Sequence, residues 1–320
     1  MTLFDPDVAA APEAAAGERS TVAGSSPPAS PPTGAATPGA RTTPAGPDVV
    51  PTEPDVVPTV TVRLRLTVSY DGAGFRGFAA QPGQRTVAGA LAGAIAVVVG
   101  HPVELVCAGR TDAGVHAKGQ VVHVDVREGV DRARLVRSVN ALLRPSVVIR
   151  SAETAAPGFD ARRSARSRRY RYLVLEDDTP DPLLAPLSWQ VPGPLDLRAM
   201  ASGADALLGE HDFRAFCRRV PGTGPATPIV RRVLDARFAQ VKVPPDDLGP
   251  GARLLRFDIE ATSFCHQMVR SVVGLLVEVG RGRRKVSDVT WLLQVGDRSR
   301  SGGVIAPPQG LCLLGVDYGE

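Results

Sequence analysis

The segment Ala108-Gly109-Arg110-Thr111-Asp112-Ala113-Gly114-Val115-His116 constrains this 320-residue chain more than any other. It sets one carboxylate between glycines and beside an arginine. The apolar runs on either side, 103–107 and 119–126, read as strands. A strand–loop–strand unit of this kind predicts that Asp112 crowns a rigid strand-to-loop junction, which is how a catalytic loop is built.

The rest of the chain predicts what surrounds that loop. Residues 62–70 alternate apolar and polar positions without a break, the pattern of a half-buried strand. A glycine-rich turn at 71–74 leads to a helix over 86–99, with Thr86 as N-cap and Gly100 as stop. Strands near 103–107 and 119–127, a helix over 131–143 and a strand near 146–153 complete a first half. The second half reads strand 168–176, helix 195–208, strands 229–240 and 253–262, helices 265–280 and 286–294, and strand 311–317. This order predicts an α+β fold with mixed α/β character. The two halves roughly echo one another, so an N-terminal lobe over 61–163 carrying the Asp112 loop and a C-terminal lobe over 164–320 are expected, with a cleft between them.

Residues 1–58 differ in kind. They hold 12 of the 29 prolines and are crowded with Ala, Gly, Ser and Thr. Such a segment cannot offset its ordering entropy, so residues 1–60 are expected to be a disordered tail and linker. A short direct repeat, Pro47-Asp48-Val49-Val50-Pro51-Thr52 and Pro54-Asp55-Val56-Val57-Pro58-Thr59, closes it. The first 58 residues carry seven acidic and two basic side chains. The remainder has 35 basic and 26 acidic, a net charge of +9 against +4 for the whole chain. A basic body with an acidic tail suggests a polyanionic partner.

There is no basic-then-apolar leader, and nowhere do eighteen uncharged apolar residues run together. No membrane and a cytoplasmic location are therefore expected. Cys107, Cys217, Cys265 and Cys312 are scattered without a C-x-x-C pair, which predicts reduced, buried thiols rather than a disulfide framework or thiolate metal site. His116 and His123 have no recognised ligand spacing, and His101, His211 and His266 are distant in sequence, so no metal is expected.

The segment 108–116 running into Gly119-Gln120-Val121 resembles the active-site motif of the tRNA pseudouridine synthases of the TruA family. Tyr70-Asp71-Gly72, Arg168-Arg169-Tyr170-Arg171-Tyr172 and Phe264-Cys265-His266-Gln267-Met268-Val269-Arg270 resemble further family motifs in the family's order. The resemblance covers nearly everything from about residue 62 onward. It implies a pseudo-symmetric pair of lobes with antiparallel or mixed sheets flanked by helices. It also implies isomerisation of uridine to pseudouridine at positions 38, 39 and 40 of the tRNA anticodon stem-loop, no cofactor, and a homodimer acting on tRNA rather than DNA. Residue by residue, it implies Asp112 as the catalytic group, Arg270 as its guanidinium partner, Arg110 as the arginine that holds the target nucleotide out of its stack, and Tyr170 as the tyrosine that packs on the uracil and is able to accept the C5 proton late in the reaction. The stretch Gly77-Phe78-Ala79-Ala80-Gln81 departs from the family, where a tryptophan is commoner, and Arg163 stands where an aromatic is commoner.

The residues permit that chemistry independently. An aspartate of ordinary pKa is ionised at neutral pH and is a competent nucleophile toward C1′ of ribose, giving a glycosyl ester; it is equally able to remove the 2′ proton and give a glycal. Tyr170 and Tyr172 share one face of a strand and Arg169 and Arg171 the other; the rings read either as cleft-lining groups or as core. Arg162, Arg163, Arg166, Arg168, Arg169 and Arg171 read either as a phosphate-tracking surface or as a solvated edge. Arg281, Arg283, Arg284 and Lys285 form a second basic cluster after the late helix. Arg110 reads either as an RNA contact or as a surface arginine paired with a nearby carboxylate. Asp71 reads as turn chemistry. A non-catalytic RNA-binding module is the alternative in another class. A phosphoryl-transfer enzyme lacks a second nearby acidic ligand and a Gly-Lys-Ser/Thr loop.

Overall fold

The computed structural model describes residues 60–219, 224, 227–241 and 248–319. The tail and repeat expected at 1–60 lie, but for Val60, outside the described residues. The chain runs β1 (Thr61–Tyr70), α1 (Val87–Val99), β2 (Leu105–Cys107), β3 (His116–Arg127), α2 (Arg132–Leu143), β4 (Val147–Thr154) and β5 (Ser167–Glu176). It continues with β6 (Trp189–Val191), α3 (Leu197–Asp205), β7 (Gly209–Asp212), β8 (Val230–Gln240), β9 (Arg253–Ala261), α4 (Met268–Gly280), α5 (Ser287–Val295) and β10 (Leu311–Asp317).

The strands form one mixed, largely antiparallel sheet in the order β4-β1-β3-β10-β5-β9-β8-β7, with β2 beside β3 and β6 beside β5. The α+β expectation holds. In β1 the alternation acts as expected: Leu64, Leu66, Val68 and Tyr70 are all buried. Each such aliphatic side chain contributes about 1.5–3 kcal/mol on burial. They share one core with Leu91 and Ile95 of α1, Leu135 and Val139 of α2, Tyr172 and Val174 of β5, Phe257 of β9 and Val272, Val273 and Leu276 of α4. The opposite face carries smaller clusters, one of them formed by Ala108, Val121, Phe159 and Ala161.

The helix punctuation also follows the sequence. Thr86 caps α1 by accepting from the Gly89 N–H at 3.2 Å, and Gly100 ends it with φ 76°. Asp131 caps α2 through the N–H groups of Ala133 and Arg134. Two elements differ from expectation. The helix expected over 195–208 is confined to Leu197–Asp205, because the chain turns into β7 at Gly209. The helix expected over 265–280 begins only at Met268, because Gln267 adopts a left-handed backbone, φ 65°. The short strands β6 and β7 were not foreseen; at three and four residues they carry too little pattern to read.

The two halves of the sheet meet where the last strand returns. β10 pairs parallel with β3, Cys312 opposite His116 and Leu313 opposite Ala117, and antiparallel with β5, Leu311 opposite Tyr172. Gly119 lets them approach, since a Cβ there would collide with the Leu314 carbonyl. β10 thus runs directly beside the start of β3, where the Asp112 loop ends.

His123 is buried on β3, and its Nδ1 accepts from the Ala161 N–H at 2.9 Å. Burial, reinforced by the Arg63 charge, holds its pKa below the ordinary value. A lowered folded-state pKa means that the unfolded chain takes up the proton first. Stability is therefore complete above about pH 6.5 and falls as pH drops through the folded-state value. We expect urea midpoints measured from pH 8 to pH 5 to decline more steeply for the natural chain than for His123→Gln.

Candidate active site

The Asp112 loop is held by its backbone before any of its side chains acts. The Ala108 N–H donates to the Val121 carbonyl at 2.8 Å, and the Ala108 carbonyl accepts from Arg168 Nη2 at 2.8 Å. Gln120 Nε2 donates to the Gly109 carbonyl at 2.6 Å. The Phe78 N–H donates to the Thr111 carbonyl at 3.1 Å, and the Tyr70 hydroxyl bonds Thr111 Oγ1 at 2.8 Å. At Gly114 the backbone is left-handed, φ 79°, and a Cβ would stand 2.9 Å from Pro308. A side chain is excluded there twice over. These bonds leave Asp112 with little conformational freedom, so aiming its carboxylate costs little further entropy.

Asp112 keeps a side chain about one quarter exposed. Arg270, from the first turn of α4, reaches across with Nη1 to Asp112 Oδ2 at 3.2 Å, while its Nε donates to the Ala306 carbonyl at 2.7 Å. The Ala306 N–H returns a bond to the Arg270 carbonyl at 3.0 Å. Arg270 is thus fixed at both ends. His266 approaches the other carboxylate oxygen, its Nε2 lying 3.4 Å from Oδ1.

Tyr170 sits behind the loop. It is buried, its ring meets Phe264 edge-on at 5.0 Å, and its hydroxyl faces Gly109. Burial pushes its phenol well above the ordinary value near 10, with Arg168 opposing and the Asp112 charge adding to the rise. It stays protonated at neutral pH. Tyr172, on the same face, belongs to the core and donates to the Pro307 carbonyl at 2.7 Å.

The structure therefore brings Asp112, Arg270 and Tyr170 together and leaves Arg110 apart. Arg110 is exposed and has no ion-pair partner among the described residues, so it is not the paired surface arginine. The basic run divides. Arg168 is buried and bonds four carbonyls, those of Ala108, Arg162, Ala165 and Thr262. Arg171 pairs with Asp258, whereas Arg162, Arg163, Arg166 and Arg169 are exposed. Phe78, in the stretch that departs from the family, is buried beneath the loop and acts as support. Asp71 accepts from the Ala73 N–H at 2.9 Å, the turn chemistry expected of it.

One expectation is overturned. Cys217 and Cys265 are joined as a disulfide across 48 residues, with Cα atoms 5.8 Å apart. Their sequence separation concealed this; only the fold lays the loop after β7 against the segment before α4, where the Arg218 N–H also donates to the His266 carbonyl at 2.9 Å. Cys107 and Cys312 are free thiols but half-buried rather than buried. Burial pushes the Cys312 thiol up to about 11.

The sequence reading missed His266, Gln267 and Arg298. Arg298 Nη2 donates to Gln267 Oε1 at 2.9 Å, bracing the left-handed turn between His266 and α4. The available signal was the four-residue spacing of His266 and Arg270. Among the described residues no group of three or more His, Cys, Asp or Glu is arranged to hold a metal, and no helix is long and apolar enough to cross a membrane.

A carboxylate held on a loop in the first half of the fold and paired with an arginine from a helix in the second makes a built acidic centre, of the kind an enzyme uses. A family-wide sequence model of tRNA pseudouridine synthases matches residues 204–319. The chain is 44% identical over 263 residues to tRNA pseudouridine synthase A of Frankia casuarinae, covering 80% of this chain and 89% of that one. It is 43% identical over 259 residues to the protein of that name from a Methylobacterium species, covering 81% and 98%, and 37% identical over 257 residues to that of Citrifermentans bemidjiense, covering 80% and 98%. The chain belongs to the tRNA pseudouridine synthase A family of isomerases.

Replacing Arg270 with lysine keeps a charge but loses the fork that spans Ala306 and Asp112. We expect single-turnover pseudouridine formation by Arg270→Lys to fall by about 10²-fold, as when one oriented donor is removed, with tRNA affinity within a few fold. Filter binding and single-turnover rates measured side by side would check this.

Proposed function

We propose that this enzyme isomerises uridine to pseudouridine at positions 38, 39 and 40 of the tRNA anticodon stem-loop, without a cofactor, and that Asp112 is its reacting carboxylate. The observation that carries the reading is the Asp112 carboxylate itself: loop-fixed, open to the surface on one side and charge-paired with Arg270 on the other. The arginine orients the carboxylate through a charge-assisted hydrogen bond, which either nucleophilic attack at C1′ or removal of the 2′ proton requires. Tyr170 packs against the uracil, and Arg110 holds the target nucleotide out of its stack, a role its lack of a partner supports. Exposed Arg162, Arg163 and Arg169 neutralise phosphates, so affinity declines steeply with salt. The protein acts as a cytoplasmic homodimer on this reading; light scattering that finds only monomer would remove the dimer.

Unmodified tRNA transcript tritiated at C5 of uridine tests the chemistry directly. The natural chain releases tritium, and Asp112→Asn releases none while binding tRNA within a few fold, because the carboxylate acts in chemistry more than in docking. Binding without release by the natural chain would instead make the protein an RNA-binding module. Tyr170→Phe is expected to keep its stacking surface and tRNA affinity yet slow the reaction, since it loses the hydroxyl that accepts the C5 proton, and Tyr170→Leu to lose both rate and affinity. Equal, natural rates in the two would make Tyr170 a core residue.

A further inference from the structure

Arg214, Arg218, Arg298 and Arg300 gather where the turn Arg214–Phe216, with the residues just after it, packs against the turn Arg298–Ser301. Two of these charges are matched. Arg214 pairs with Asp212, and Arg300 pairs with Asp297 at 3.5 Å. Arg218 and Arg298 have no carboxylate partner among the described residues. Arg298 gives Nη2 to Gln267 Oε1 at 2.9 Å, and its Nη1 is buried without a hydrogen-bond partner. A cation's N–H removed from water without an acceptor is destabilising. The Arg218 charge stands close enough to reinforce burial in lowering the pKa of Arg298. A single anion between the two guanidinium groups satisfies the donor and cancels the repulsion.

The pair lies at the edge of the acidic centre. The Arg218 N–H donates to the His266 carbonyl at 2.9 Å, and His266 carries its Nε2 to 3.4 Å from Asp112 Oδ1. Gln267, which holds Arg298, is the next residue and comes three before Arg270. A nucleotide with C1′ at the Asp112 carboxylate carries a phosphodiester on its 5′ side and another on its 3′ side, each a few bonds from C1′. Planar guanidinium groups match the oxygens of such a phosphate. Contacts of this kind fix the register of a nucleic acid without reading its sequence, which suits placement of the reacting sugar.

The backbone under the pair is fixed and one of its side chains is not. Cys217 is tied to Cys265, and Gln267 holds a left-handed conformation, φ 65°. Arg298 is therefore a preset donor. Arg218 is exposed and its side chain makes no bond among the described residues, so it is able to turn outward, admit a phosphate oxygen to Arg298 and close over it.

We propose that Arg218 and Arg298 form a phosphate subsite that takes one of the two backbone phosphodiesters flanking the target uridine and so positions its C1′ at Asp112. The assignment rests on Asp112 as the reacting carboxylate. The test is the affinity of the natural chain, Arg218→Gln and Arg298→Gln for full-length tRNA with one uncharged methylphosphonate linkage, placed 5′ or 3′ of the uridine that the enzyme converts. The natural chain is expected to bind one of these two tRNAs about 10-fold more weakly than the unmodified tRNA, the effect of losing a charged hydrogen bond. Arg218→Gln is expected to bind unmodified tRNA more weakly by a similar factor, to lose nothing further on that methylphosphonate, and to show a salt slope shallower by about 0.7. Arg298→Gln also removes the brace on Gln267, so Arg218→Gln, whose side chain braces nothing among the described residues, is the deciding variant. Natural affinity in Arg218→Gln, or losses that multiply at both linkages, overturns the proposal. Thermal stabilisation by inorganic phosphate that Arg298→Gln abolishes, with both methylphosphonates bound as tightly as unmodified tRNA, overturns the RNA assignment in favour of a free anion. Uridine conversion by Asp112→Asn would overturn the Asp112 reading and leave the binding measurements standing, so the two failures are distinguishable.

Discussion

A partly buried carboxylate needs a counter-charge, and Asp112 finds its partner in Arg270, 158 residues further along the chain. Nearly everything else in the described fold serves that meeting. The carboxylate rides on a loop between β2 and β3 in the first half of the sheet, and the guanidinium rides on α4 in the second. Neither half alone brings the carboxylate and its guanidinium together. Removing one member of such a pair leaves the other desolvated without compensation, which is costlier than the pair is favourable.

The joint between the halves explains how the pair is kept in register. β10 lies between β3 and β5, so the C-terminal strand is hydrogen-bonded to the strand that leaves the Asp112 loop and to the strand that carries Tyr170. The segment just before β10 holds Ala306, which bonds Arg270 through both its N–H and its carbonyl, and Pro308, which packs on Gly114. One stretch of chain therefore touches both the loop of the acid and the arginine. A shift at this seam would move both groups together, which preserves the short distance between them.

The polar supports of the loop show how buried side chains fix its shape. Tyr70 ends the most legible strand in the chain, yet its hydroxyl bonds Thr111, next to Asp112. Gln120 opens the apolar part of β3 and ties down Gly109. Arg168, in a run that reads as a basic surface, is buried and bonds carbonyls, one of them in the active loop. Buried polar groups of this type must be satisfied, and satisfying them here rigidifies the site.

Local pattern was enough for much of this. Alternation defined β1, the Thr86 and Gly100 caps bounded α1, and Ala108–His116 between two apolar runs marked the Asp112 loop, because period, capping and turn chemistry are short-range properties. The late helix was legible in its body but not at its start, since the left-handed turn at Gln267 is held by Arg298, far along the chain. Arg110 and Arg168 are the same residue type, one free at the surface and one buried, and burial is a tertiary property that residue identity does not carry. The Cys217–Cys265 pair and the approach of His266 to Asp112 were equally out of reach. The sequence by itself determined most of the segments that form strands and helices and where the loop carrying Asp112 lies. The tertiary structure alone decided that Arg270 and His266 meet it and that Cys217 joins Cys265, because those contacts arise only when the two halves of the sheet come together at β10.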